Sequence, residues 1–164
     1  MKQKANRKIK IGRIMIYIGL GLVLVVLIMV GQMAVSNFKT PKNLGVTDGR
    51  LAPMPKSPNA VSSQSSGEYY QVAPLPLKDN LELTKAALLA AVKAYGGGEI
   101  IEETDTYIYI VFTTSKMKYK DDLEFYISED EGLVHYRSSS RIGYSDMGLN
   151  RERYNAIAKA YLAE

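Results

Sequence analysis

The stretch Asp122–Ser139, DLEFYISEDEGLVHYRSS, decides the fold. Leu123, Phe125 and Ile127 fall on one side of a strand, EDEG at 129–132 turns, and LVHYRSS returns, which describes an antiparallel hairpin. Upstream, TYIYIVFTT at 106–114 alternates Ile108, Ile110 and Phe112 against Tyr107, Tyr109 and Val111, all β-branched or aromatic, and reads as a third strand. EIIEETD at 99–105 supplies a fourth with less regular alternation.

Helices bracket these strands. In KDNLELTKAALLAAVKAYGGG, 78–98, Leu81, Leu88, Ala91, Val92 and Tyr95 share one face. Asp79 or Asn80 is placed to cap its start, and Gly96 to stop it. In NRERYNAIAKAYLAE, 150–164, Tyr154, Ile157, Ala158, Tyr161 and Leu162 follow the spacing of a helix buried on one side, with Asn150 as N-cap. The pattern predicts an α+β fold: a small antiparallel sheet of about four strands with two helices packed on one face, preceded by a single transmembrane helix.

That last helix comes from IMIYIGLGLVLVVLIMVGQMAV, residues 14–35, which hold no charge. About 22 residues at 1.5 Å each span some 33 Å, enough for a ~30 Å hydrocarbon core. The run exceeds a signal-peptide core and no clean small-x-small cleavage site follows, so it reads as an uncleaved anchor. Residues 1–13 form a basic arm with Lys2, Lys4, Arg7, Lys8, Lys10 and Arg13 and no acid. The positive-inside rule therefore predicts a cytoplasmic N-terminus and an extracytoplasmic C-terminal domain.

The formal charge of +4 misleads when taken whole, because six of the 21 basic residues precede the span and leave 15 against 17 acids beyond it. Nucleic-acid binding loses its electrostatic footing, and the arm suits orientation and anionic lipid instead. With no cysteine, the chain has no disulfide, thiol nucleophile or thiolate metal site.

All six prolines lie between residues 41 and 76, among several serines and glycines. Residues 36–76 read as a linker or an extended wrap, with 51–64 a candidate for packing on the domain, and residues 77–164 as the α+β domain proper. As a coil, this linker would span roughly 35 Å.

YRSSSRIGYSDMGLNRERY, 136–154, concentrates four arginines and four serines where the last strand meets the last helix. Its turn chemistry predicts an ordered loop with Arg137, Arg141, Arg151 and Arg153 near one another. Guanidinium groups at a helix start suit an anionic ligand such as a lipid head group, a phosphorylated glycan or a partner's carboxylate. Alternatively, Asp121, Asp122, Glu124 and Asp146 already occupy those arginines as a salt-bridge lattice. A rival reading makes Asp122, Glu124 and His135 the centre of a hydrolase or divalent-metal enzyme. Alternation places Asp122 and Glu124 on one strand face and Asp121 on the other, so at most two carboxylates converge. No G-x-S-x-G, G-x-x-x-x-G-K-[ST] or H-E-x-x-H motif occurs, and no cofactor is predicted.

Three pieces, LAPMPKSPNAVSSQ (51–64), YKDDLEFYI (119–127) and YRSSSRIGYSDMGLNRER (136–153), together resemble the family catalogued as domain of unknown function 1499. The resemblance runs from about Leu51 to the C-terminus. It implies one compact domain in an envelope or organelle setting, gives weight to Asp121, Asp122, Arg137, Ser138, Ser140, Arg141, Asp146, Asn150 and Arg151, and supplies no activity. Family members often carry cysteines where Met54 and Ala60 stand here, so any thiol function is excluded in this chain. The expectation is a single-pass membrane protein displaying a binding or envelope-accessory module. Its partners would be the membrane, an anionic ligand or an envelope protein, and not nucleic acid.

Overall fold

A computed structural model describes the backbone of residues 2–164 and the side chains from residue 12 onward. The side chains of Lys2, Lys4, Arg7, Lys8 and Lys10 in the basic arm lie outside the described residues. The chain forms two units, residues 1–39 and Thr40–Glu164. The first is one helix, α1 (Lys2–Phe38), whose apolar stretch Gly12–Phe38 contains an 18-residue window with a mean hydropathy of 2.8 and none of that window buried. By length and composition it can cross a membrane.

The second unit is an α+β domain. In chain order it runs β1 (Ala60–Ser62), β2 (Leu75–Pro76), α2 (Leu81–Tyr95), β3 (Gly98–Glu103), β4 (Tyr107–Thr113), β5 (Lys120–Ser128), β6 (Leu133–Ser140) and α3 (Leu149–Ala163). The sheet order is β1-β6-β5-β4-β3, antiparallel throughout, and β2 also pairs with β6. The predicted hairpin is β5–β6, with Phe125 opposite Tyr136.

Six strands stand where about four are predicted, because the Pro/Ser-rich segment contributes β1 and β2. These act as one interrupted edge strand. Ala60, Val61 and Ser62 oppose Ser139, Ser138 and Arg137, the Ser63 amide donates to the Tyr136 carbonyl, and Leu75 and Pro76 then oppose Val134 and Leu133. Residues 64–74 loop out between the two pieces and return through a bridge from Ser62 to Gln71. Pro76 is tolerated because an edge strand has a side that needs no N–H.

On one face of the sheet, Ile108, Ile110, Phe112, Leu123, Phe125, Ile127, Val134 and Tyr136 meet Leu88, Ala91 and Val92 of α2 and Tyr154, Ile157, Ala158 and Tyr161 of α3 in a single core. Both helices thus pack on one face. Asn80 caps α2 by accepting from the Leu83 amide, and Gly96 ends it at a φ of 83° that suits glycine. The opposite face is covered as well, since Leu51 joins Tyr107, Tyr109 and Val111 in a second cluster flanked by Leu44 and Tyr126. The covering strap, residues 44–51, turns at Thr47–Arg50 and is held where Gln64 accepts from the Leu51 amide and donates to the Gly49 carbonyl.

Leu51, Val61, Val72 and Leu75 are all buried. At about 1.5–3 kcal/mol for each buried side chain, they contribute on the scale of a whole domain's usual 5–15 kcal/mol. A fragment of residues 77–164 is therefore expected to lack a cooperative thermal transition by circular dichroism, whereas residues 40–164 melt as one unit.

Candidate functional site

Strand β5 carries Asp121, Asp122 and Glu124, which are 2%, 1% and 0% exposed. A central strand alternates its side chains, so Asp121 faces the helices while Asp122 and Glu124 face the strap. Buried carboxylates need cations and donors, and here they receive them on both sides.

On the helix side, Arg153 Nη2 donates to Asp121 Oδ2 at 2.7 Å, and the Ser140 hydroxyl donates to Asp121 Oδ1 at 2.6 Å. Arg153 Nη1 donates to Asn150 Oδ1 at 2.7 Å and to Ser138 Oγ at 3.2 Å, while Ser138 donates in turn to Asn150. The guanidinium lies 4.5 Å from the centre of the Phe112 ring, a cation–π contact. Asn150 Nδ2 donates to the Asn59 carbonyl, Ser140 Oγ and Asp146 Oδ2. Asn59 Nδ2 donates to the Gly143 carbonyl at 2.8 Å, which locks the segment before β1 onto the loop after β6.

On the strap side, Arg137 Nη1 donates to Glu124 Oε2 at 2.8 Å. Glu124 Oε1 accepts from the Tyr107 hydroxyl and the Gly45 amide, both at 2.8 Å. Arg141 grips Asp122 through Nε and Nη2, at 2.9 Å to Oδ2 and 2.7 Å to Oδ1. The Tyr109 hydroxyl donates to Asp122 at 2.5 Å and accepts from Arg141 at 2.9 Å. The Asp122 hydrogen bond pushes the Arg141 pKa up, and burial followed by the neighbouring carboxylates pushes those of Tyr107 and Tyr109 up.

Several expectations need correction. The four arginines do not converge: Arg137 and Arg141 serve one face and Arg153 the other, while Arg151 donates to the Tyr69 carbonyl at an exposed position. The strand alternation that separates the carboxylates separates their cations too. Asp146 neutralises no arginine but accepts from the amides of Gly148 and Asn150, and so tends the start of α3. Asn150 is not the N-cap, because the helix begins at Leu149 after Gly148 in the left-handed region, and the Asn150 amide is spent inside the lattice.

Asp122, Glu124 and His135 do not form one centre either. His135 stacks on Tyr126, its Nδ1 lies 3.3 Å from Ser63 Oγ and its Nε2 lies 3.2 Å from Glu131. The Ser63 hydroxyl is already engaged by the Tyr136 backbone, 2.9 Å from its amide. Among the described residues, no group of three or more His, Asp or Glu side chains is placed to hold a metal ion. Arg153, expected in the loop cluster, joins the lattice on the helix side, and Tyr107, Tyr109 and Gly45 belong to it beyond the expected residues. The tyrosine alternation in β4 was the available signal for two of them; nothing local points to Gly45.

Fold and site together define a class: an α+β domain built around a buried carboxylate–arginine lattice, joined to an N-terminal helix apolar enough for a membrane. The chain belongs to the family described as Protein of unknown function (DUF1499), which it matches over residues 50–161. No curated protein and no solved structure matches it.

Removing one partner of a buried ion pair leaves a charge without compensation and costs about 3–5 kcal/mol. Arg141→Gln and Arg153→Gln are each expected to lose that much unfolding free energy in urea titrations, and Arg151→Gln no more than about 0.5 kcal/mol. A second expectation concerns alkali. Tyr107, Tyr109, Tyr136, Tyr154 and Tyr161 all have raised pKa values, chiefly through burial. Above pH ~10 the unfolded chain loses protons that the native state keeps, so stability is full below that pH and falls as pH rises, by up to about 1.4 kcal/mol per unit for each such group. Phenolate absorbance should accordingly show one set of tyrosines titrating freely and another appearing only together with unfolding.

Proposed function

We propose that this chain is a single-pass membrane protein whose basic N-terminus is cytoplasmic and whose DUF1499 domain is an extracytoplasmic binding or envelope-accessory module. The observation that carries this reading is the internal commitment of the lattice: Asp121, Asp122 and Glu124 are each held by an arginine. Carboxylates so engaged build a rigid scaffold and are themselves withheld from proton transfer. Binding is then the task of the surfaces that the scaffold displays. The apolar stretch Gly12–Phe38 and the basic residues before it support the orientation.

The absence of cysteine makes the orientation directly testable. Met147 is 98% exposed in the loop before α3. In a Met147→Cys chain, a membrane-impermeant maleimide is expected to label intact cells or spheroplasts as fully as lysed ones. Labelling only after lysis would place the domain in the cytoplasm and overturn the reading.

A further inference from the structure

A cavity of about 570 Å³ lies along the strap and meets the lattice only at Gly45. Its lining includes Lys42, Arg50, Ser62, Gln64, Ser65 and Ser66, and no Asp or Glu contributes to it. Hydrogen bonding within the strap fixes which way its polar groups can work. Ser62 Oγ, on a residue only 2% exposed, accepts from the Gln64 amide, and Ser65 Oγ accepts from the Gly67 amide, so each hydroxyl keeps its O–H to donate. The Gln64 side-chain carbonyl is engaged by the Leu51 amide, and Asn43 in the same lining can turn its NH2 inward. What remains is a donor-rich pocket with two cations, the chemistry that recognises an oxyanion. The volume exceeds that of a bare ion and falls within the range of small-molecule sites.

The source of the anion follows from chain connectivity. Lys42 stands four residues after Phe38, the last residue of α1, and four residues reach at most about 14 Å when extended. Phosphate groups of anionic lipids are concentrated at that depth, beyond the hydrocarbon boundary. We propose that the strap pocket binds the phosphate of an anionic phospholipid, with Arg50 and Lys42 as its cations and the Ser62 and Ser65 hydroxyls as donors. The choice of lipid as source rests on the membrane reading; the anion chemistry of the pocket does not.

The test uses the full chain reconstituted in nanodiscs of phosphatidylcholine alone or with phosphatidylglycerol, and reads hydrogen exchange over residues 42–66. With the lipid at about ten times its Kd, amides of that segment should exchange about tenfold more slowly in the anionic discs. Arg50→Gln and Lys42→Gln should remove the difference without lowering the melting temperature, since Arg50 makes only one exposed contact, to the Gln64 carbonyl. Equal exchange in both discs, or slowing that survives both substitutions, overturns the proposal. Glycerol phosphate added to phosphatidylcholine discs separates the two sources: slowing by it alone, with none from phosphatidylglycerol, makes this a site for a soluble phosphate ester and overturns the lipid assignment. Failure of the chain to co-purify with any disc would sink the membrane reading by itself, and the glycerol phosphate titration on the free protein would still decide the pocket.

Discussion

The domain depends on how three carboxylates are accommodated on one central strand. Asp121, Asp122 and Glu124 sit in β5 between two other strands, with helices on one side and the strap on the other, so water cannot solvate them. Each is answered by an arginine, and all three arginines lie between residues 137 and 153. The concentration of guanidinium groups in that short region follows from this geometry. Strand β6 supplies one cation by register, the chain leaving β6 supplies a second, and the first turn and a half of α3 supplies a third across the other face. An isolated buried ion pair is poor evidence of stability, but this set fixes the sheet register, the exit of the loop and the rotation of α3 together.

The strap is the second organising element. Its Gly45 reaches Glu124, and in the chain that follows Asn59 reaches the loop after β6 and Val61 enters the helix-side core. Residues 40–76 therefore complete both faces of the sheet and one of its edges.

Much of this architecture was legible in the sequence where periodicity is strong. Alternation in residues 107–113 and 123–127 and the helical spacing of residues 81–95 and 154–162 gave the strands, their core faces and the helices. It also separated Asp121 from Asp122 and Glu124. Strands β1 and β2 were not legible, because three and two residues among prolines carry no period and are held by partners more than fifty positions away. The pairing of each arginine was hidden for a related reason. A loop's composition says that it turns, whereas its path decides which face each side chain reaches, and Gly143 and Gly148, both at positive φ, set that path. Asn150 looked like a cap because its type favours caps, but burial at the crossing of three segments outweighed that preference.

The sequence positions of the lattice also impose an order on folding. The chain emerges from its N-terminus, so the strap and all three carboxylates appear before any of their cations. Arg137 arrives first, then Arg141, and Arg153 last of the three. Until then β5 carries charges that cannot be buried on both faces, and the sheet has little reason to close early. Closure of the fold is thereby tied to synthesis of the segment that reaches Arg153, because a chain without that residue leaves Asp121 uncompensated.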